Sequence, residues 1–282
     1  MVVLLAAVAC SPGSSDDARP RIVATHSVLG DLVENVVGDQ ADVEVVMPAG
    51  ADPHDFEPSA RQVAAMTEAD LVVANGLDLE HGLDDALGAA TDAGVPVLHL
   101  GERLQPMGDD PHWFTDPVRM AEAAGLVADA LAGVDGLDVE ASAQRYADRL
   151  RALDDEVADE LATVPAADRR LVTSHEVLGY FADRYGFDVV GTVIPSGSTL
   201  AEPSAADLGD LVETIDASGI PALFVDASAP TGLVDVVADE VDDDVSVVEL
   251  WSESLSDESS PASTYVDLIR TDASRIAEAL GR

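Results

Sequence analysis

The chain has 282 residues, 47% of them hydrophobic, so it can bury the cores of two domains or of one large α/β unit. Its 55 Asp and Glu residues face only 14 basic residues, all arginine, which gives a formal net charge of −41. Such a surface repels nucleic acid, which excludes nucleic-acid binding, and the excess indicates a salt-adapted or simply acidic surface rather than a metal site.

The chain begins with a short apolar segment that ends in its one cysteine, Cys10. The order MVVLLAAVAC followed by SPGSSDD resembles a bacterial lipoprotein signal, in which the cysteine is acylated and becomes the mature N-terminus. We therefore predict a signal remnant and tether over residues 1–20, with a lipid anchor on Cys10. The segment is very short and has no basic region, so a frayed apolar tail with an inert thiol stays open as an alternative.

Residues 21–133 alternate between strand and helix patterns, which predicts an N-terminal α/β lobe with a mostly parallel sheet. The amphipathic helix ends at Gly38, a residue that favours helix C-termini. The predicted elements are strands at 22–23, 43–46, 71–74 and 95–100, a helix over 28–37, and a second helix that is capped by Ser59.

A long helix is predicted next, because residues 139–164 contain no glycine or proline over about seven turns. We assign residues 134–166 to this linking helix and residues 167–282 to a C-terminal α/β lobe, in which the alternation restarts. The predicted strands are 169–175, 187–193, 222–228 and 245–254, and the predicted helices are 176–186, 204–220, 231–241 and 263–280. The fold class is thus α/β, with two lobes joined by one long helix.

Three of the six histidines follow predicted strands: His54, His112 and His175. Ligands of open α/β sheets bind beyond the carboxyl ends of the strands, so imidazoles from the two lobes can meet in the cleft between them. Two of these histidines stand in Asp-Pro-His motifs, whose proline stiffens the chain just before the imidazole. His26, His81 and His99 do not fit this pattern.

Three neutral imidazoles suit zinc, manganese or iron and leave a fourth position, which a carboxylate usually fills. The strand-end candidates are Asp226, the neighbourhood of Ser228, and Glu253, and topology places Glu253 best. Aspartates and glutamates near the motifs, namely Asp55, Glu57 and Asp116, are candidates for orienting the imidazoles, although Asp116 also suits a helix cap.

Several segments together resemble the zinc/manganese class of solute-binding lipoproteins that serve bacterial metal ABC transporters. They are ADPHDFEPS, NGLDLE, DPHWFTDP, TSHEVLGYFADRYG and the C-terminal LWSESL with the helix that follows, and the match covers the chain from about residue 20. The resemblance implies that His54, His112, His175 and Glu253 bind the metal.

Two features depart from common members of that family. Glutamate stands at the fourth ligand position, where aspartate is common, and adds one methylene of reach and possible bidentate binding. The segment GERLQPMGDD before the second motif has no histidine, whereas many zinc importers carry a His-rich loop there. The absence of this loop favours manganese or a loop-less zinc protein, and raw affinity does not decide between the two metals.

The resemblance implies an extracytoplasmic receptor, lipid-anchored or periplasmic, that captures zinc or manganese and delivers it to a membrane permease. We expect a monomer. We also expect no enzymatic activity, because four protein ligands leave no open position for an activated water. A surface adhesin of the same fold and a metal-dependent hydrolase remain alternatives. The pair Ser174 and His175 is weak evidence for a hydrolase, because neighbouring strand residues point to opposite faces.

Overall fold

A computed structural model describes residues 19–228, 232–241, 245–257 and 259–281 of the chain. Most of the predicted signal remnant and tether, including Cys10, lies outside these residues. Within them, no helix combines the length and the apolar character that crossing a membrane requires.

Strands and helices alternate along the described residues, as the sequence pattern predicts. The strands are β1 Arg21–His26, β2 Asp42–Met47, β3 Leu71–Ala74, β4 Val97–His99, β5 Arg170–Thr173, β6 Asp188–Thr192, β7 Ala222–Asp226 and β8 Ser246–Leu250. The α-helices are α1 Ser27–Val37, α2 Ala60–Thr67, α3 Asp84–Asp92, α4 Pro117–Leu131, α5 Glu140–Leu161, α6 Gly179–Tyr185, α7 Ala205–Ser218, α8 Gly232–Glu240 and α9 Tyr265–Leu280.

The strands form two four-stranded sheets in which every pair is parallel, with orders β2-β1-β3-β4 and β6-β5-β7-β8. We call the part built on the first sheet the N-terminal lobe and the part built on the second the C-terminal lobe. The same order in both lobes gives each sheet a carboxyl edge where loops from non-consecutive strands come together. The predicted two-lobed α/β class is confirmed.

Predicted caps start and stop the helices beside the site. Ser59 and Gln62 form a reciprocal capping box at the start of α2, and the Asp116 carboxylate accepts a hydrogen bond of 2.8 Å from the Val118 N–H at the start of α4. Gly186 ends α6 at φ 71°, a left-handed conformation that favours glycine. These signals are local, so the sequence reports them directly.

The long helix α5 has 22 residues, about 33 Å at 1.5 Å per residue, and packs against α1, α4 and α9. Its buried face belongs to a hydrophobic core to which both sheets contribute. The C-terminal helix α9 also returns to this core, where the Tyr265 hydroxyl donates to the Phe114 carbonyl oxygen at 2.7 Å. The boundaries of the lobes, 21–133, 134–166 and 167–282, remain a prediction.

Several predicted elements are shorter in the structure, and two of these differences lie beside the site. The helix expected from residue 176 begins at Gly179, because the Glu176 N–H donates to the Ser196 carbonyl oxygen at 2.9 Å instead of entering the helix. The last predicted strand stops at Leu250. The N–H of Trp251 then donates to Asp272 and that of Ser252 to Asp226, so side chains replace the strand partner.

Candidate metal centre

The structure brings together all four side chains that the sequence analysis selects. His54 follows β2, His112 follows β4, His175 follows β5 and Glu253 follows β8. One potential ligand atom from each residue lies within 4.8 Å of the others, and all four residues are buried. The carboxyl edges of the two sheets therefore meet at one cluster of three imidazoles and one carboxylate.

The centre of the cluster is the Glu253 carboxylate. Its Oε1 lies 2.9 Å from Nε2 of His54 and 3.1 Å from Nε2 of both His112 and His175. The imidazole rings stand at 69° to 90° to one another, with their Nε2 edges turned inward. The Oε2 atom of Glu253 is buried and has no hydrogen-bond partner among the described residues, which suits a carboxylate that completes a cation's shell.

Charge inside the cluster is balanced between the carboxylate and the imidazoles. Burial favours the protonated acid, but His175, His112 and His54 outweigh it and hold the pKa of Glu253 well below its usual range. Burial also favours neutral histidine, but hydrogen bonds to Asp110 and Glu253 raise the pKa of His112 to about 9. A divalent ion that binds here therefore displaces a proton and supplies the positive charge that balances the Glu253 carboxylate.

Each Asp-Pro-His motif is a turn in which the aspartate holds its own histidine. Oδ1 of Asp52 accepts the backbone N–H of His54, and Oδ1 of Asp110 accepts that of His112, both at 2.9 Å. The proline between them fixes the corner, so the imidazole leaves the loop in a defined direction. The repeat in the sequence thus builds the same local structure twice.

The orientation of His112 comes from its own motif. Oδ1 of Asp110 also lies 2.8 Å from Nδ1 of the His112 ring, which leaves Nε2 for the centre of the cluster. The expectation that Asp55, Glu57 or Asp116 does this is wrong. Asp55 and Glu57 are exposed, and Asp116 caps α4.

The alternative fourth ligand, Asp226, lies beneath the loop that carries Glu253. Its Oδ2 accepts the backbone N–H of Ser252 at 2.8 Å and the Ser252 hydroxyl at 2.6 Å, and its Oδ1 accepts the N–H of Ser228 at 2.7 Å. Burial, and then the charge of Glu253, raise the pKa of Asp226. Asp226 therefore supports the loop, and Glu253 faces the histidines.

His175 and Ser174 lie just past the end of β5, where the alternation of a strand no longer holds. The Ser174 hydroxyl is 3.4 Å from Nδ1 of His175, so the expectation that the two side chains point apart is wrong. The contact is long, and Nε2 of His175 is directed at Glu253. Ser174 therefore neighbours the cluster at the outer nitrogen of this imidazole.

Asn75 and Glu80, for which the sequence pattern predicted no role, support the loop of His112. The Asn75 amide donates to the Pro111 carbonyl oxygen at 2.9 Å. Oε1 of Glu80 accepts the Asn75 N–H at 2.6 Å and the Thr25 hydroxyl at 2.8 Å, and burial raises the pKa of Glu80 to about 7. The sequence did contain a signal for both residues, because they begin and end the segment NGLDLE, one of the segments that carry the family resemblance.

The remaining histidines lie outside the cluster. His26 ends β1 and packs its ring 5.6 Å from that of Phe114, and burial lowers its pKa to about 4. His81 is exposed and pairs with Asp84, and His99 is exposed at the end of β4.

Two parallel-sheet lobes around a buried site of three imidazoles and one carboxylate define the class of metal-binding solute-binding proteins. Residues 22–279 match the family described as "Zinc-uptake complex component A periplasmic", and the chain belongs to this family. The family resemblance carried by the motifs is confirmed.

Individual relatives agree with this assignment. The chain is 28% identical to "Manganese-binding lipoprotein MntA" of Halalkalibacterium halodurans, over 100% of the chain and 97% of the relative. It is also 28% identical to "Manganese ABC transporter substrate-binding lipoprotein PsaA" of Streptococcus mitis, over 98% of the chain and 94% of the relative. The solved structure of the periplasmic zinc-binding protein TroA from Treponema pallidum superposes with a TM-score of 0.86 at 28% identity, over 94% of this chain and 100% of that one.

Proposed function

We propose that this chain captures a divalent transition metal, zinc or manganese, outside the cytoplasm and delivers it to the permease of an ABC importer. His54, His112, His175 and Glu253 are the proposed ligands. The observation that carries the proposal is the buried cluster in which Oε1 of Glu253 lies 2.9–3.1 Å from three imidazole nitrogens. A divalent cation at this point would take the place of the imidazole protons and satisfy these inward-facing nitrogen and oxygen atoms together.

The relatives support both the transport role and the choice of metals. The relatives reported above carry manganese in their names, and TroA is described as a zinc-binding protein. A site of three nitrogen ligands and one carboxylate accepts either ion, with affinities that follow the order manganese below zinc. Glu253 can offer one oxygen to zinc or two oxygens to manganese, which prefers a larger shell.

The proposed mode of action is binding without turnover. Four protein ligands would complete a tetrahedral shell and leave no position for a water nucleophile, and the burial of all four side chains supports this. The surface adhesin alternative shares the fold and the site, so the cluster supports only its metal-binding part. One chain completes the site, which is consistent with a monomer, and the order of residues around Cys10 supports a lipid anchor at the membrane.

The proposal is tested by the substitution His112→Ala. It removes one of the proposed ligands and the partner of Asp110, and we expect the affinity for zinc and for manganese to fall by at least about 100-fold. Competitive titration against a chelator of known affinity measures the change, with the metal-free protein's circular dichroism as the check of folding. His81→Ala is the matched control, because that side chain is 75% exposed and lies outside the cluster. Metal binding that is equal in His112→Ala and wild type would contradict the proposed site.

A further inference from the structure

Two hydroxyl groups of the C-terminal lobe contact the Asp-Pro-His loops of the N-terminal lobe. Thr199, in the segment between β6 and α7, donates to Oδ2 of Asp52 at 2.7 Å. The Tyr180 hydroxyl, on α6, accepts the Met107 N–H at 2.8 Å and donates to the Asp110 carbonyl oxygen at 3.1 Å. Each of the two Asp-Pro-His loops is therefore bonded to a side-chain hydroxyl of the opposite lobe.

The Thr199 contact is connected directly to the backbone of His54. The Asp52 carboxylate accepts the His54 N–H with Oδ1 and the Thr199 hydroxyl with Oδ2. If Thr199 moves away, Asp52 loses the hydrogen bond to its second oxygen, and the His54 N–H then holds the carboxylate through Oδ1 alone. A rotation weakens the turn that directs His54.

The Tyr180 contact spans the turn in front of His112. Its hydroxyl joins Met107 to Asp110, and Oδ1 of Asp110 holds both the backbone and the ring of His112. The Tyr180 ring is almost completely buried and lies under the Arg119 guanidinium, 4.6 Å from its centre. The ring is thus fixed by packing, and the hydroxyl transmits its position to the loop.

The helix that carries Tyr180 touches the same aspartate a second time. A Cβ atom on Gly179 would lie 2.5 Å from Oδ2 of Asp110, so the Asp110 carboxylate rests directly on the first residue of α6. On the same side, a Cβ on Gly197 would meet the Pro111 ring at 3.8 Å. Two separate segments of the C-terminal lobe therefore pack closely on the second motif.

We propose that Thr199 and Tyr180 are positioning residues, which make the placement of the N-terminal histidines depend on the position of the C-terminal lobe. Their hydroxyls act through Asp52 and through the Met107–Asp110 turn and contact no proposed ligand nitrogen. Movement of the lobes then withdraws His175 and Glu253 and at the same time loosens His54 and His112, so the metal is released in one concerted step. This inference rests on the proposed metal-binding function.

The test compares the rate at which bound zinc passes to a chelator in Thr199→Val and Tyr180→Phe. We expect release to be about tenfold faster in Thr199→Val, whose hydroxyl bonds a carboxylate, and about threefold faster in Tyr180→Phe, whose hydroxyl bonds backbone groups. The zinc association rate should remain within about twofold of wild type. Thr199→Ser keeps a hydroxyl and should restore slow release, which a purely packing role of the threonine would not do.

Tyr185→Phe is the matched control for Tyr180→Phe. Tyr185 lies on the same helix and its hydroxyl bonds Oδ1 of Asp154 at 3.1 Å, away from the motifs. It should release zinc at the wild-type rate even if its metal-free form unfolds more easily. The visible spectrum of bound Co²⁺ should change in Tyr180→Phe and stay unchanged in Tyr185→Phe, because it reports ligand geometry.

The outcomes separate this inference from the proposed function. Wild-type release rates in both Thr199→Val and Tyr180→Phe, with zinc still bound by the wild type and lost in His112→Ala, would overturn the positioning role alone. Equal acceleration in Tyr185→Phe, or fast release in Thr199→Ser, would also overturn it. Failure of the wild type to bind zinc or manganese would overturn the metal-binding function itself.

Discussion

The Asp110 side chain offers the most direct test of how an imidazole of the cluster is oriented. Its Oδ1 accepts both the backbone N–H and the ring Nδ1 of His112. Asp110→Asn keeps an oxygen acceptor but removes the negative charge that makes the imidazole a stronger ligand. We expect zinc affinity to fall by about 10- to 100-fold, measured by chelator competition, while the far-ultraviolet circular dichroism stays that of wild type.

The neighbouring residue provides the control for this prediction. Asp109 is exposed and one position away, so Asp109→Asn makes the same change of charge without touching the imidazole. It should bind zinc within about twofold of wild type. Equal losses in Asp109→Asn and Asp110→Asn would show that only the acidity of the loop matters, and this would contradict the orienting role.

At the scale of residues, the sequence predicts the side chains of the cluster better than their supports. The identities of His54, His112, His175 and Glu253 follow from strand ends and motifs, because the carboxyl edge of a parallel sheet is a fixed place. Their supports depend on contacts between distant segments, such as Asn75 with Pro111 and Thr199 with Asp52. No local pattern encodes such a pair, so these roles emerge only in the folded structure.

At the scale of elements, the junction between β8 and α9 is expected to be sensitive to pH. Oδ1 of Asp272, on α9, accepts the N–H of Trp251 at 3.0 Å just after β8 ends. Burial raises the pKa of Asp272 to about 8, against 3.8 in an exposed carboxyl, with a further contribution from the charge of Asp226. The folded chain therefore holds a proton that the unfolded chain releases.

The sign of the effect follows from this difference in proton binding. The stabilisation is complete below pH 3.8 and decreases as the pH rises toward about 8. Asp272→Asn stays neutral and can still accept the Trp251 N–H, so we expect it to be equally stable at pH 4. At pH 8 it should be more stable than wild type by at least about 1.4 kcal/mol, the free energy of one pKa unit.

Urea unfolding of the metal-free protein at pH 4, 6 and 8 measures this prediction, with a chelator present so that metal binding does not alter the stability. The difference between variant and wild type should grow steadily across the three pH values. A constant difference, or an advantage of wild type at pH 8, would show that Asp272 is ionised in the folded protein.

The elements themselves are predicted well where local signals set them and less well near the site. Gly38, Ser59 and Asp116 mark helix ends that the structure reproduces. The start of α6 and the end of β8 differ, because backbone groups of 176 and 251 bond to loops and side chains of other segments. Periodicity cannot report such competition, and it occurs where the chain builds the cluster.

At the scale of the whole molecule, the long helix contributes to a core that is continuous through both lobes. Residues of α5 pack with α1, α4 and α9, and the Asp154 carboxylate of α5 accepts a hydrogen bond from Arg184 of the C-terminal lobe. A continuous core resists large hinge motion, so a modest shift at the cleft is the movement that this fold allows. The sequence predicts this helix because residues 139–164 contain no glycine or proline. That the helix joins a core shared by both lobes depends on tertiary packing.

The net charge of −41 leads to a prediction about the whole molecule in salt solutions. Like charges on a compact surface repel one another and destabilise the folded state, and salt screens this repulsion. Raising the ionic strength from 0.01 M to 1 M shortens the screening length from about 30 Å to about 3 Å. We expect the unfolding temperature of the metal-free protein to rise by at least about 5 °C, equally in sodium chloride and in potassium chloride.

The same screening should slow the association of zinc with the protein, because the acidic surface attracts the cation over a shorter distance. Calorimetry and rapid-mixing kinetics across one salt series therefore test whether screening raises the unfolding temperature and lowers the zinc association rate. A constant unfolding temperature together with a constant association rate would contradict this prediction.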